Sequence, residues 1–169
     1  MPDRKILILD RVQIQQKITR IAYQIWEDNL DEESIVLAGI ADYGFILAER
    51  LKREIEQISG INVLLMKIEI NKHVSSFQAK TDINVDECTG KVVVLVDDVL
   101  NSGRTLAYGL GVFLDIPLKK LRTAVLVNRS HRIFPLTPDF TGLELATVIK
   151  EHVDVLLDGN ETEDAVYLR

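Results

Sequence analysis

Val92-Val93-Val94-Leu95-Val96-Asp97-Asp98-Val99-Leu100-Asn101-Ser102-Gly103-Arg104-Thr105 is the stretch that decides the fold of this 169-residue chain. The run from Val92 to Val96 has the length and β-branched composition of a strand buried on both faces. Asn101 to Thr105 are small or polar turn formers, and Leu106, Leu110 and Phe113 continue at helical spacing. A strand feeding a turn that opens a helix gathers backbone N–H groups and the positive end of the helix dipole around one point. Such a point suits phosphate. The adjacent carboxylates of Asp97 and Asp98 would repel a phosphate, and suit hydroxyl groups or a divalent cation instead. A sugar phosphate satisfies both halves, with hydroxyls on Asp97 and Asp98 and the phosphate on Asn101, Ser102, Gly103, Arg104 and Thr105. No G-x-x-x-x-G-K-[ST] string occurs, which excludes a Walker-type loop.

Upstream, Lys5 to Leu9 is a short apolar run. Asp10 with Gln13 three residues on reads as a capping box, opening a helix lined by Ile14, Ile18, Ile21 and Ile25 to about Asp28. Ile35 to Ala38 reads as a buried strand, Gly39 to Gly44 as a turn, and Leu47, Leu51, Ile55 and Ile58 as the inner face of a second helix. Asn62 to Ile70 is a further strand, and Asn71 to Gly90 a mostly polar excursion. The signature helix ends near Ile116-Pro117, and Leu121 to Val127 supplies one more strand.

This alternation predicts an α/β fold, a twisted and mostly parallel sheet flanked by helices. Ligands of such sheets bind beyond the carboxyl ends of the strands, where the 39–44 and 97–105 turns both lie. From Asn128 on, Pro135, Pro138 and Gly142 interrupt the pattern, and short apolar segments follow at 145–149, 152–157 and 165–168. They predict a small C-terminal cap with β character, joined by the N-terminal strand. The whole, 1–169, reads as a single domain with a core of about 30–128 and a cap of about 128–169.

The composition, 47% hydrophobic and 27% charged, is that of an ordinary soluble protein. No segment approaches a membrane span, and Met1-Pro2-Asp3-Arg4-Lys5 lacks the apolar core of a signal peptide. The single cysteine, Cys88, makes no internal disulfide and reads as a bystander; these features together predict a cytoplasmic protein. A net charge of −6 argues against polyanionic partners. Three histidines, His73, His131 and His152, are too scattered for a metal site.

The strand, paired acids and Ser102-Gly103-Arg104-Thr105 turn resemble the signature of the type I phosphoribosyltransferases. In that family the motif holds the ribose and 5′-phosphate of phosphoribosyl pyrophosphate (PRPP). Within the family the chain is most similar to the bifunctional regulators of pyrimidine-operon attenuation that are also uracil phosphoribosyltransferases. The likeness runs from Ile8-Leu9-Asp10 and Thr19-Arg20-Ile21-Ala22 through Gly39-Ile40, Gly44, Leu47-Ala48 and Arg50-Leu51. It resumes at Val96 to Leu100, Gly103 to Thr105, Ala124 to Val127, Arg129, His131 and Arg132.

The resemblance implies a Mg²⁺-dependent transfer of phosphoribose from PRPP to a nucleobase, uracil first, in a homo-oligomer, a dimer or larger. Asp97 and Asp98 become the catalytic carboxylates, reaching Mg²⁺ directly or through its water, with Asp98 the nearer to the chemistry. Ala41, Asp42, Tyr43 and Gly44 become the pyrophosphate loop. The cap becomes a hood over the base, with Val127, Arg129, His131 and Arg132 as its first turn. The ligands would be PRPP and a nucleobase or nucleoside monophosphate.

Three departures stand against that pattern. The pyrophosphate loop is Ala41-Asp42-Tyr43-Gly44, where the family usually carries a basic or hydroxylated residue before the final glycine, as in K-T-R-G, and Asp42 adds a negative charge. The lid segment from Asn71 to Gly90 is short, with Lys72, His73 and Lys80 as its basic groups. Tyr23 replaces a histidine expected on the first helix, and Arg20, Lys119, Lys120 and Arg122 form no stripe in sequence; with the acidic balance this disfavours RNA. A PRPP- or nucleotide-sensing regulator with little or no turnover is therefore the alternative function.

Overall fold

The computed structural model describes residues 4–71 and 78–169. Along the chain, β1 (Ile6–Leu9) leads to α1 (Arg11–Glu27), β2 (Ser34–Ile40), α2 (Tyr43–Ile58), β3 (Asn62–Asn71) and β4 (Gln78–Thr81). Then come a 3₁₀ turn (Val85–Cys88), β5 (Val92–Leu100), α3 (Arg104–Gly111), β6 (Lys120–Asn128), β7 (Phe140–Glu144), β8 (Val153–Leu156) and β9 (Ala165–Leu168). Six strands make the main sheet in the order β4-β3-β2-β5-β6-β7, and β1-β9-β8 form a separate antiparallel sheet. Among the described residues, β4 at the edge is the one strand of the main sheet that runs antiparallel.

The local reasons match the sequence patterns. Asp10 accepts the Gln13 N–H at 2.8 Å and Gln13 Oε1 accepts the Asp10 N–H at 2.9 Å, the reciprocal box that starts α1. Strand alternation splits β5 between two cores. Val92, Val94 and Val96 belong to the core that also holds Ile14, Ile18, Ile21 and Ile25 of α1 and Leu47, Leu51 and Ile55 of α2. Val93 and Leu95 face the other way, onto Val36, Ala38, Met66, Leu106 and Phe113. Burial on both faces explains why the run lacks polar alternation.

Several boundaries differ from the sequence reading. β5 continues through both acids to Leu100, because its parallel pairing with β6 holds as far as Leu100↔Asn128. The polar excursion after β3 contains a strand, β4, whose Lys80 pairs with Glu69 and Ala79 with Ile70. The main sheet also runs on past residue 128: Phe140 to Glu144 pairs with β6 through Ala124↔Phe140 and Val127↔Leu143. The 145–149 segment forms no strand and leaves Val148 and Ile149 exposed. The N-terminal strand does join the last two, with Ile6↔Leu168 and Leu7↔Tyr167. Among the described residues, no helix is long and apolar enough to cross a membrane.

The apolar stripe of α1 lies against the chain's own core, with Ile14, Ile18, Ile21, Ala22 and Ile25 fully buried. Trp26 packs partly against the same core and Tyr23 stands beside it, ring centroids 6.1 Å apart. On the outer side of the same helix Val12 and Tyr23 are exposed.

Candidate active site

The register of β2 against β5 pairs Gly39 with Val96, so both strands deliver their following turns to the same end of the sheet. Two glycines let those turns close up. A Cβ on Gly39 would lie 2.5 Å from Phe45 Cα, and one on Gly44 would lie 2.8 Å from the Val96 carbonyl oxygen. The start of α2 is thereby pressed against the carboxyl end of β5. The Ala41 N–H donates to the Ile68 carbonyl at 2.9 Å, and the Ala41–Asp42 peptide is cis. Between the turns lies an open cleft of about 450 Å³, bordered by Ala41, Asp42, Tyr43, Asp97, Asp98, Asn101 and Thr105.

Asp97 is buried and its Oδ1 accepts the Asp98 N–H at 2.9 Å; Asp98 is half-buried. As consecutive strand residues they leave the backbone on opposite sides. They border one cleft because it wraps around the end of β5. Asp42 is exposed at the start of α2 and makes no capping bond. Tyr43 packs partly on the core. Among the described residues, no three His, Cys, Asp or Glu groups converge as a metal cage. Carboxylate oxygens on the cleft nonetheless fit Mg²⁺, which keeps several waters and takes one or two carboxylates beside substrate phosphates.

Adjoining the cleft, and sharing Asp97, Asn101 and Thr105 with it, is a tighter hollow of about 30 Å³ lined also by Ser102 and Gly103, the turn read from sequence as a phosphate cradle. Gly103 has φ of +89°, a left-handed conformation that glycine adopts freely. The Arg104 N–H donates to Ser102 Oγ at 3.2 Å, tightening the turn at the start of α3. The Arg104 guanidinium does not border either hollow; it lies over the Phe134 ring, 5.7 Å from the centroid.

The residues expected over the base lie at the end of β6 and in the segment that follows it. Val127 is fully buried within β6, because strand alternation points it into the core. Arg129 is buried too, donating to Asn101 Oδ1 at 3.0 Å, to Thr147 Oγ1 at 3.1 Å and to the Glu151 carbonyl. His131 Nε2 bonds the Thr147 carbonyl, which only accepts, so that nitrogen carries the proton. Arg132 is exposed and donates to the Leu136 carbonyl at 3.2 Å and to Thr137. None of these four borders the cleft between the turns.

The 129–136 segment instead braces the cradle. The Arg129 N–H donates to the Leu100 carbonyl at 3.1 Å, and those of Ile133 and Phe134 donate to the Ser102 carbonyl at 2.9 and 3.0 Å. Sequence reading did not single out Ile133, Phe134, Thr147 or Glu151; only the prolines nearby marked that stretch as irregular. Lys72 and His73 of the short lid fall outside the described residues. The basic residues considered for RNA are engaged within the chain. Lys119 pairs with Glu32, Lys120 and Arg122 pair with Asp28, and Arg20 donates to the Thr141 and Gly142 carbonyls.

A mostly parallel sheet with a phosphate-type turn and paired acids at the carboxyl end of one strand, facing the N-terminus of the helix that follows the neighbouring strand, is the arrangement of the phosphoribosyl transferase family. The phosphoribosyl transferase domain matches residues 7–159, and the chain belongs to that family. It is similar to the bifunctional protein PyrR of Brevibacillus brevis, 37% identical over 98% of this chain and 97% of the relative. It is similar likewise to PyrR of Trichormus variabilis, 39% identical over 99% and 97%. Among solved structures, a hypoxanthine-guanine phosphoribosyltransferase from Bacillus anthracis matches with a TM-score of 0.72 and 27% identity, over 83% of this chain and 82% of that one.

Proposed function

We propose that this protein transfers phosphoribose from PRPP to uracil and releases pyrophosphate, with Mg²⁺ accompanying PRPP. The observation that supports this reading is the single cleft shared by Ala41 to Tyr43 and by Asp97, Asp98, Asn101 and Thr105. In this reading Asp97 and Asp98 accept hydrogen bonds from the ribose hydroxyls. Backbone N–H groups of Ser102 to Thr105 surround the 5′-phosphate, and those of Asp42 to Gly44, at the positive end of α2, face the pyrophosphate. The C1–O bond breaks with its electron pair leaving on pyrophosphate, while N1 of uracil forms the new bond to C1 and passes its proton to water. Bound Mg²⁺ supplies charge neutralisation of the departing pyrophosphate. The protein contributes alignment of the two substrates and fixed donors for the charge that develops.

Uracil as acceptor rests on similarity to the pyrimidine-operon regulators. The chain is proposed to act as a homo-oligomer in the cytoplasm, which sedimentation at micromolar concentration tests. The deciding assay is pyrophosphate release from PRPP with uracil, hypoxanthine, guanine, xanthine and orotate offered separately. Turnover with uracil alone is the expected result; turnover with a purine alone reassigns the base.

A second reading has one observation in its favour. Asp42 places an exposed carboxylate where pyrophosphate would leave, and like charges repel. A sensor that binds PRPP or a nucleotide and turns nothing over would tolerate that arrangement. Binding of PRPP without pyrophosphate release from any base favours this reading.

A further inference from the structure

We infer that Arg129 locks the Asn101 carboxamide in one orientation, making Asn101 Nδ2 a fixed donor to an oxygen of the bound ligand. Arg129 itself is a positioning residue that never touches that ligand. The inference rests on the reading of the cleft as a PRPP site.

The Arg129 side chain is buried, with the residue only 8% exposed. Its three hydrogen-bond acceptors are an amide oxygen, a hydroxyl and a backbone carbonyl, on Asn101, Thr147 and Glu151. All three are neutral, and among the described residues no carboxylate lies within 4 Å of the guanidinium. Burial of a charge without a counter-charge is unfavourable even when its donors are bonded. A negatively charged ligand one residue away would supply what the chain lacks.

Asn101 is that intervening residue. A guanidinium only donates, so the carboxamide must turn Oδ1 towards it, as the 3.0 Å contact has it. The flipped amide would set N–H against N–H. Nδ2 is therefore at the far end, and makes no hydrogen bond within the described residues. Asn101 is exposed and borders both the cleft and the cradle. A cation bonded to Oδ1 draws electron density from the amide and strengthens Nδ2 as a donor. The ligand atom meeting Nδ2 must then be an acceptor, and a phosphate oxygen of PRPP answers both the donor and the buried charge behind it.

The test compares wild type, Asn101→Asp and Asn101→Leu by thermal unfolding and by titration with PRPP and Mg²⁺. Asn101→Asp gives Arg129 the carboxylate it lacks while removing the donor. The Tm should rise, and the PRPP dissociation constant should rise at least tenfold. Asn101→Leu should lower the Tm with a similar loss of affinity. A Tm for Asn101→Asp at or below wild type overturns the pairing, and unchanged PRPP affinity in that variant overturns the donor. Arg129→Met distinguishes positioning from general support. It should weaken PRPP binding in the wild-type background and add nothing in Asn101→Leu; equal losses in both backgrounds contradict the relay. If wild type binds no PRPP, the proposed function and the donor's ligand fall together, and the Tm comparison still decides the Arg129–Asn101 pairing.

Discussion

Gly44 and Asp97 approach so closely that a Cβ on Gly44 would lie 2.9 Å from Asp97 Cα and 3.1 Å from its carboxylate Oδ1. The two belong to different elements, Gly44 to the first turn of α2 and Asp97 to the carboxyl-terminal part of β5, so their contact sets the width of the cleft. Backbone atoms, including the Val96 carbonyl oxygen at 2.8 Å, cannot yield as a flexible side chain would. Gly44→Ala should therefore push the 41–43 turn outwards. The expected loss of stability is about 1–3 kcal/mol, as for overpacked sites. Affinity for PRPP should fall by a larger factor than the unfolding midpoint implies, measured by urea unfolding and calorimetry on the same variant.

Asp42 is exposed at the cleft edge. Opposite pyrophosphate at about 4 Å, its charge costs about 1 kcal/mol in water-like screening. Asp42→Thr should tighten PRPP binding about fivefold at low salt, and the gain should shrink as salt is added. Removing a carboxylate from the start of α2 should lower stability by about 0.3–1 kcal/mol. Equal PRPP affinities at low and high salt would show that Asp42 does not face the ligand.

Arg50, on the buried face of α2, makes a two-pronged ion pair with Asp164 and also donates to the Asp158 carbonyl. Burial pushes the Arg50 proton affinity down, but the bond and charge of Asp164 more than reverse this, leaving its pKa raised. This pair holds the loop before β9 to the helix that begins at the cleft. Asp164→Ala should cost about 3–5 kcal/mol, because it strands a buried guanidinium. Arg50→Met with Asp164→Leu should cost much less, judged by chemical unfolding. Nearby, the Thr162 hydroxyl and backbone N–H groups hold the Asp158 carboxyl below its usual range. A depressed native pKa stabilises above the ordinary carboxylate range, and the contribution is lost as pH falls through the native value. Asp158→Asn should flatten that acid limb of the stability profile.

Cys88 is fully buried, and desolvation pushes its thiol above the usual range. The protonated form belongs to the native state, so its contribution is complete below the ordinary thiol pKa and is lost as pH rises towards the native one. A disulfide reagent should react with native protein only at the rate of opening. Fast reaction without denaturant would contradict the burial.

The reading from sequence went furthest where local chemistry dictates the outcome. Asp10 and Gln13 state their capping box three residues apart, and Gly103 sits in a turn whose neighbours announce it. The parallel core followed from uninterrupted apolar runs such as Val92 to Val96, which only a strand covered on both faces needs. Long-range pairing was less readable. Phe140 to Glu144 carries Thr141, Gly142 and Glu144, too polar and too short to announce a strand, and joins the sheet because β6 would otherwise expose its edge. The site divided in the same way. Asp97, Asp98 and the 101–105 turn are contiguous and were visible together. The surroundings of Arg129 are not legible, because nothing local shows that Asn101, Thr147 and Glu151, up to 28 residues away, enclose its guanidinium.

The central claim is that PRPP binds where the 41–44 and 97–105 turns meet. Calorimetric titration of PRPP in the presence of Mg²⁺, into wild type and into an Asp97→Asn, Asp98→Asn double variant of unchanged Tm, tests it most directly. Wild type should bind one PRPP per chain, and the double variant should lose that binding at least a hundredfold. Equal affinities for the two proteins, or no heat from wild type at all, would contradict the account.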